Sequence, residues 1–156
     1  MAKNFKYFFI FLFLLGCGYT PVYQIKKDPN IQINIINFSG DKDIGREVIR
    51  SFENFRENNA KNIFDLDLNI LKQESIVTKD KKGNATSYKL VLTVDAYLTN
   101  KTNNKNYQKK FTKETTFNSK NNKFELDQLK NNLEKNMISQ ILQDMNIFLG
   151  IIGNDI

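Results

Sequence analysis

From residue 63 to residue 99 the chain alternates apolar and polar side chains, and that alternation most limits what it can become. Phe64, Leu66, Leu68 and Ile70 fall on one parity; Asp65, Asp67 and Asn69 fall on the other. Successive side chains of a strand point to opposite faces, so this pattern predicts a strand with one dry and one wet side over Ile63–Thr78. A charged turn follows, Lys79-Asp80-Lys81-Lys82-Gly83-Asn84. Ala85–Thr99 then repeats the pattern, with Tyr88, Leu90, Leu92, Val94, Ala96 and Leu98 on one face. After a second polar turn, Asn100–Asn106, the segment Tyr107–Phe117 is less regular. Tyr107, Phe111 and Phe117 share a parity with Lys109 and Lys113. Such a mixture predicts an edge strand or a bulge, and lysines on an edge also block unwanted pairing.

The remaining segments supply one more strand and two helices. Ile31–Phe38 places Ile31, Ile33 and Ile35 on one face, and Ser39-Gly40-Asp41 ends it. Asp43 is the expected N-cap of a helix from Ile44 to about Asn59, with Ile44, Val48, Phe52 and Phe55 on one stripe. After the polar linker Ser119–Asn122, Lys123–Gly150 carries Phe124, Leu126, Leu129, Leu133, Met137, Ile141, Met145 and Phe148 at helical spacing. Gly150 is the expected stop, leaving Ile151–Ile156 as a C-terminal tail. The order is β-α-β-β-β-α. One-faced strands and one-striped helices close most economically as an α+β two-layer sandwich. The expectation is a four-stranded, mostly antiparallel sheet with two helices on one face, forming a single domain over residues 31–150.

Ahead of that domain stands an export signal. Lys3 and Lys6 precede the uncharged run Tyr7–Leu15, and Gly16-Cys17 follows at once. A bilayer-spanning helix needs roughly 20 apolar residues, so this run is too short to cross. It fits the apolar core of a secretory signal, about 7–15 residues long. Leu14-Leu15-Gly16-Cys17 resembles the lipobox of bacterial lipoproteins, although Leu15 is bulkier than the residue usual there. That resemblance implies cleavage between Gly16 and Cys17 and a covalent lipid on Cys17. Residues 1–16 are then the signal peptide, and residues 17–30, with Pro21 and Pro29, an extended tether. Cys17 is the single cysteine of the chain, so no intrachain disulfide can form. A lone cysteine in an exported protein needs an explanation, and acylation provides one.

Composition removes most chemistry. The chain has no His and no Trp, so the commonest general base and metal ligand is missing. With Cys17 assigned to lipid, no thiol nucleophile or zinc cluster remains, and no glycine-rich phosphate loop is present. No cofactor and no metal site are expected. Asp65 and Asp67 share a strand face. Paired carboxylates could do acid–base work or hold a cation, but the wet side of a half-buried strand is the better explanation. The formal charge is +6 over 156 residues and becomes +4 once Lys3 and Lys6 leave with the signal. Export argues against nucleic acid as a partner, leaving acidic headgroups or phosphates. Lys79, Lys81 and Lys82 on one turn, with Lys101 and Lys105 on the next, are the candidate phosphate contacts. Solvated loop lysines in an Asn- and Lys-rich chain are the alternative.

The tether carries a further resemblance. Cys17-Gly18-Tyr19-Thr20-Pro21-Val22-Tyr23 resembles the CGF-x-P-L-Y start of mature lipopolysaccharide-assembly lipoproteins, the LptE (RlpB) family, alphaproteobacterial type. Tyr19 stands for Phe and Val22 for Leu. The element order agrees with that family's small domain. The resemblance implies an outer-membrane lipoprotein on the periplasmic face, a plug and assembly partner of the LptD β-barrel, which binds lipopolysaccharide during its insertion into the outer leaflet. It implies no catalysis. A different class stays open: a periplasm-facing lipoprotein activator or secretion accessory unrelated to lipopolysaccharide.

Overall fold

The computed structural model describes residues 31–56 and 60–154. The signal peptide, Cys17 with its cleavage site, and the tether lie outside the described residues. Six elements follow in the expected order: β1 (Ile31–Gly40), α1 (Lys42–Ser51), β2 (Asn62–Lys79), β3 (Ala85–Asn100), β4 (Asn106–Asn118) and α2 (Lys123–Asn154). The sheet order is β1-β2-β3-β4. β1 runs parallel to β2, as a strand–helix–strand crossover requires. The other two pairings are antiparallel.

The alternation sorts the sheet into a dry and a wet face. Phe64, Leu66, Leu68 and Ile70 of β2 meet Leu90, Leu92, Val94, Ala96 and Leu98 of β3 in one buried cluster. Ile44, Val48 and Phe52 of the α1 segment and Met137, Ile138, Ile141, Met145, Leu149 and Ile152 of α2 complete that cluster. Both helices therefore cover the same face. β4 is an edge strand, as Lys109 and Lys113 predict, and its register with β3 runs without a bulge. Lys113, on the inner parity, reaches Asp144 of α2 at 2.7 Å. Phe111 meets Phe148 edge-on with ring centroids 5.9 Å apart.

Two helix boundaries differ from expectation. α1 is capped by Asp41 rather than Asp43. The Asp41 carboxylate accepts the amides of Asp43 at 3.1 Å and Ile44 at 3.2 Å. The α-helix also stops at Ser51, and a 3₁₀ turn, Glu53–Phe55, replaces the expected continuation. The Ser51 hydroxyl bonds back to the Val48 carbonyl at 2.6 Å, a local bond that competes with the helical ladder. The apolar stripe survives the change, because Phe52 is fully buried and its ring lies 5.7 Å from that of Phe55. At the other end Gly150 does not stop α2. Leu149 and Ile152 are both 2% exposed, and burying them holds the helix together for another turn, to Asn154. The expected tail is thus largely helix.

β1 is much shorter than β2. Its pairing ends where Gly40 faces Ile70. Gly40 has φ +95°, and a side chain there would run into the Ile70 carbonyl; only glycine turns the chain this close to a neighbouring backbone. The next amide, Asp41, donates to that carbonyl at 3.2 Å. Leu71–Lys79 continues past this point, paired with β3 alone.

Candidate functional site

The two lysine-bearing turns occupy opposite ends of the sheet. β3 joins them, and at ~3.3 Å per residue its 16 residues set them roughly 50 Å apart. They cannot form one phosphate site. Their chemistry also differs. Lys101 is committed to Asp65, with Nζ 2.7 Å from Oδ2, and its amide donates to the Ile63 carbonyl. Lys105 is exposed. Lys79, Lys81 and Lys82 are exposed on the β2–β3 turn and make no ion pair among the described residues.

Asp80 shapes that turn. Its carboxylate accepts the Asn84 side-chain amide at 3.0 Å and the backbone amides of Lys82 and Asn84 at 2.8 and 2.9 Å. The side-chain bond from Asn84, then its backbone amide, hold the Asp80 carboxyl below its ordinary value. Gly83 takes φ +86°, the left-handed conformation this tight reversal needs. The one carboxylate on the turn is thus occupied by the loop's own donors. The three lysines beside it remain available to an anion, each as a point charge.

The wet sheet face is polar and cross-linked. Asp65 accepts from Asn34 at 3.4 Å as well as from Lys101, and Asp67 accepts from Asn37 at 2.9 Å. Ser39 bonds Asn69 at 3.1 Å. Lys89 pairs with Glu114 at 2.7 Å, and Thr93 meets Thr112 at 3.3 Å. Asp95 has Lys110 at 3.5 Å, too long for a good hydrogen bond, and its Oδ1 accepts none. Asp65 and Asp67 are each engaged by neighbours, as the wet side of a strand requires. Among the described residues no group of His, Cys, Asp and Glu could hold a metal ion.

A cleft of about 490 Å³ opens between α2 and the outer part of the β2–β3 hairpin, lined by Lys72, Glu74, Leu90, Asp127, Lys130 and Glu134 among others. Sequence reasoning did not find it, because its charges come from segments about 60 residues apart. Lys72 lies 3.4 Å from Asp41 and 3.0 Å from Glu134. Lys130 lies 2.7 Å from Glu74 and 5.0 Å from the Tyr88 ring centroid. Both lysines are spent on internal partners, so the cleft holds α2 to the hairpin and carries no spare cation. The long edge Leu71–Lys79 was also missed. Its signal was present: one strand segment of eight residues beside another of sixteen.

The family model described as LptE, lipopolysaccharide-assembly, matches residues 29–145. No curated protein matches the chain in sequence. Several solved structures share the fold. Rare lipoprotein B from Shewanella oneidensis aligns with a TM-score of 0.54 at 17% identity, covering 73% of this chain and 92% of that one. A putative lipoprotein from Caulobacter crescentus aligns at 0.53 and 10% identity, covering 81% and 92%. A minor lipoprotein from Acinetobacter baumannii aligns at 0.52 and 14% identity, covering 76% and 93%. These likenesses speak for the fold. The family match runs from β1 through α1 and the three-stranded meander into α2, well over half of the chain, and on that ground the chain belongs to the LptE family of lipopolysaccharide-assembly lipoproteins.

Proposed function

We propose that the chain is exported, cleaved before Cys17, lipidated there and held on the periplasmic face of the outer membrane. There it serves as plug and assembly partner of an LptD-like β-barrel during lipopolysaccharide insertion. The observation that carries this reading is the family match over residues 29–145, with the lipobox-like Leu14–Cys17 immediately ahead of it. The wet sheet face supports it. Barrel lumens are polar and water-filled, and a plug must present hydrogen-bonding side chains to such a wall. Asp67 and Asn69 stand exposed on that face, with Asp65, Thr93 and Asp95 half-buried beside them on two adjacent strands in register. The role is non-catalytic and uses no cofactor beyond the covalent lipid on Cys17. Lys79, Lys81 and Lys82 are the residues placed to meet lipopolysaccharide phosphates, with Lys105 at the far end of the sheet and Lys101 already paired.

Depletion tests the reading against a periplasmic activator or secretion accessory. Loss of the protein halts delivery of new lipopolysaccharide to the cell surface, followed by pulse labelling and surface accessibility. Normal delivery in depleted cells contradicts the proposal.

A further inference from the structure

We propose that the β2 edge over Leu71–Lys79 is a docking strand, which takes up an extended, acidic segment of a partner protein as a fifth strand of the sheet. The docking strand does not depend on the barrel, but it would share the turn lysines Lys79, Lys81 and Lys82 with the phosphates proposed above. β1 and β2 differ in length, and the mismatch starts at Gly40. β1 leaves the sheet at Ile70, and the next nine residues of β2 are all exposed and pair with β3 alone. The Ile70 carbonyl points toward the β1 side, because it accepts the Asp41 amide. Backbone groups alternate along a strand, so the N–H and C=O of Lys72, Glu74 and Ile76 point the same way. They meet no strand there. An open edge of this kind is the template for strand addition, where main-chain bonds supply affinity and flanking side chains supply selectivity.

The side chains name the occupant. Leu71, Ile76 and Val77 are 50%, 49% and 52% exposed, an apolar lining on both faces of the edge that an added strand would cover. At the turn the charges without an ion pair among the described residues are positive: Lys79, Lys81 and Lys82. Three carboxylates flanking the edge and the turn are already engaged, while Asp127 stands in the cleft on α2. Asp41 is held by Lys72, Glu74 by Lys130, and Asp80 by Asn84. A second copy paired edge to edge would set its end near Gly40 and Leu71 beside the turn lysines, where Asp41 is already held by Lys72. An acidic segment from another protein brings unspent negative charge there. Antiparallel addition, the more stable pairing, sets the acidic residues at the N-terminal end of that segment, beside the turn.

A synthetic peptide tests this on the detergent-solubilised full-length lipoprotein. It carries three aspartates followed by six residues of alternating threonine and valine. The readout is backbone amide hydrogen exchange with and without peptide. Exchange at Lys72, Glu74 and Ile76 is expected to slow at least tenfold. A peptide N-methylated on alternate amides leaves it unchanged. Replacing Lys79, Lys81 and Lys82 by Gln weakens binding about tenfold. Ile76→Pro abolishes it and leaves the fold intact, since proline is tolerated on an edge where its N–H would face solvent. Three results overturn the proposal: no protection by the peptide, equal protection by the N-methylated peptide, or concentration-dependent protection of the same amides without any peptide. The last would assign the edge to a second copy.

Discussion

Lys72 Nζ on β2 lies 3.0 Å from Glu134 Oε2 on α2, and the same ammonium reaches Asp41, the cap of α1, at 3.4 Å. One side chain thus ties both helices to the strand between them. Burial is the largest single influence on Lys72 and pushes it down. The hydrogen bond and charge of Glu134, with those of Asp41, outweigh burial and leave Lys72 raised above 10.5. A raised lysine stabilises the fold fully below 10.5, and that contribution is lost as pH rises through the folded-state value. Lys72→Met is expected to cost about 0.5–1 kcal/mol in urea unfolding at neutral pH, the scale of a half-exposed pair. The difference from wild type should shrink above pH 10.5.

Asp41 titrates with the opposite sign. Burial, again the largest influence, raises it, but the Ile44 amide, Lys72 and the Asp43 amide together leave it below 3.8. Its contribution is whole above 3.8 and is lost as pH falls through the lowered value. Asp41→Ala should cost about 1 kcal/mol at pH 7, the usual worth of an N-cap. Asp41→Asn keeps the cap and should cost less, with a smaller loss of stability in acid than wild type.

Gly45 packs directly beneath the Phe38 ring, leaving no room for a methyl group. Gly45→Ala is expected to destabilise by about 1–3 kcal/mol through overpacking. Phe38→Leu in the same chain should recover part of that loss. The double-mutant cycle in urea checks the coupling, and additive effects would contradict it.

Ile152 and Ile151 are neighbours with opposite fates, 2% and 55% exposed. Ile152→Ala should lower stability by about 2–4 kcal/mol, the cost of emptying a core site. Ile151→Ala should change it by less than about 0.5 kcal/mol. Thermal unfolding of the two variants gives the comparison.

Those two isoleucines also mark where the sequence was legible. Alternation identified the buried apolar side chains of β2 as far as Ile70 and those of β3, because each strand there buries a single face. The stripe of α2 was less exact: Phe124, at its start, is 67% exposed, and Ile152, beyond its expected end, is buried. Boundaries were harder. Asp41 and Asp43 are both competent caps, and the closure of Gly40 against Ile70 decides between them. Gly150 is a fair stop signal locally, but burial of Ile152 overrides it. Strand order, the parallel β1–β2 pair and the charged cleft depend on contacts between distant segments, which no local pattern encodes. Among the candidate phosphate contacts, the sequence could group Lys79, Lys81 and Lys82 but could not see that Lys101 spends its charge on Asp65.

The account rests most on partnership with an outer-membrane barrel. Affinity purification of the full-length lipoprotein from detergent-extracted envelopes, with partners identified by mass spectrometry, tests that claim most directly. The account predicts one large LptD-like β-barrel recovered in a stable one-to-one complex. Recovery of the lipoprotein alone, while the LptD-like barrel of the same cells carries a different plug, would contradict it.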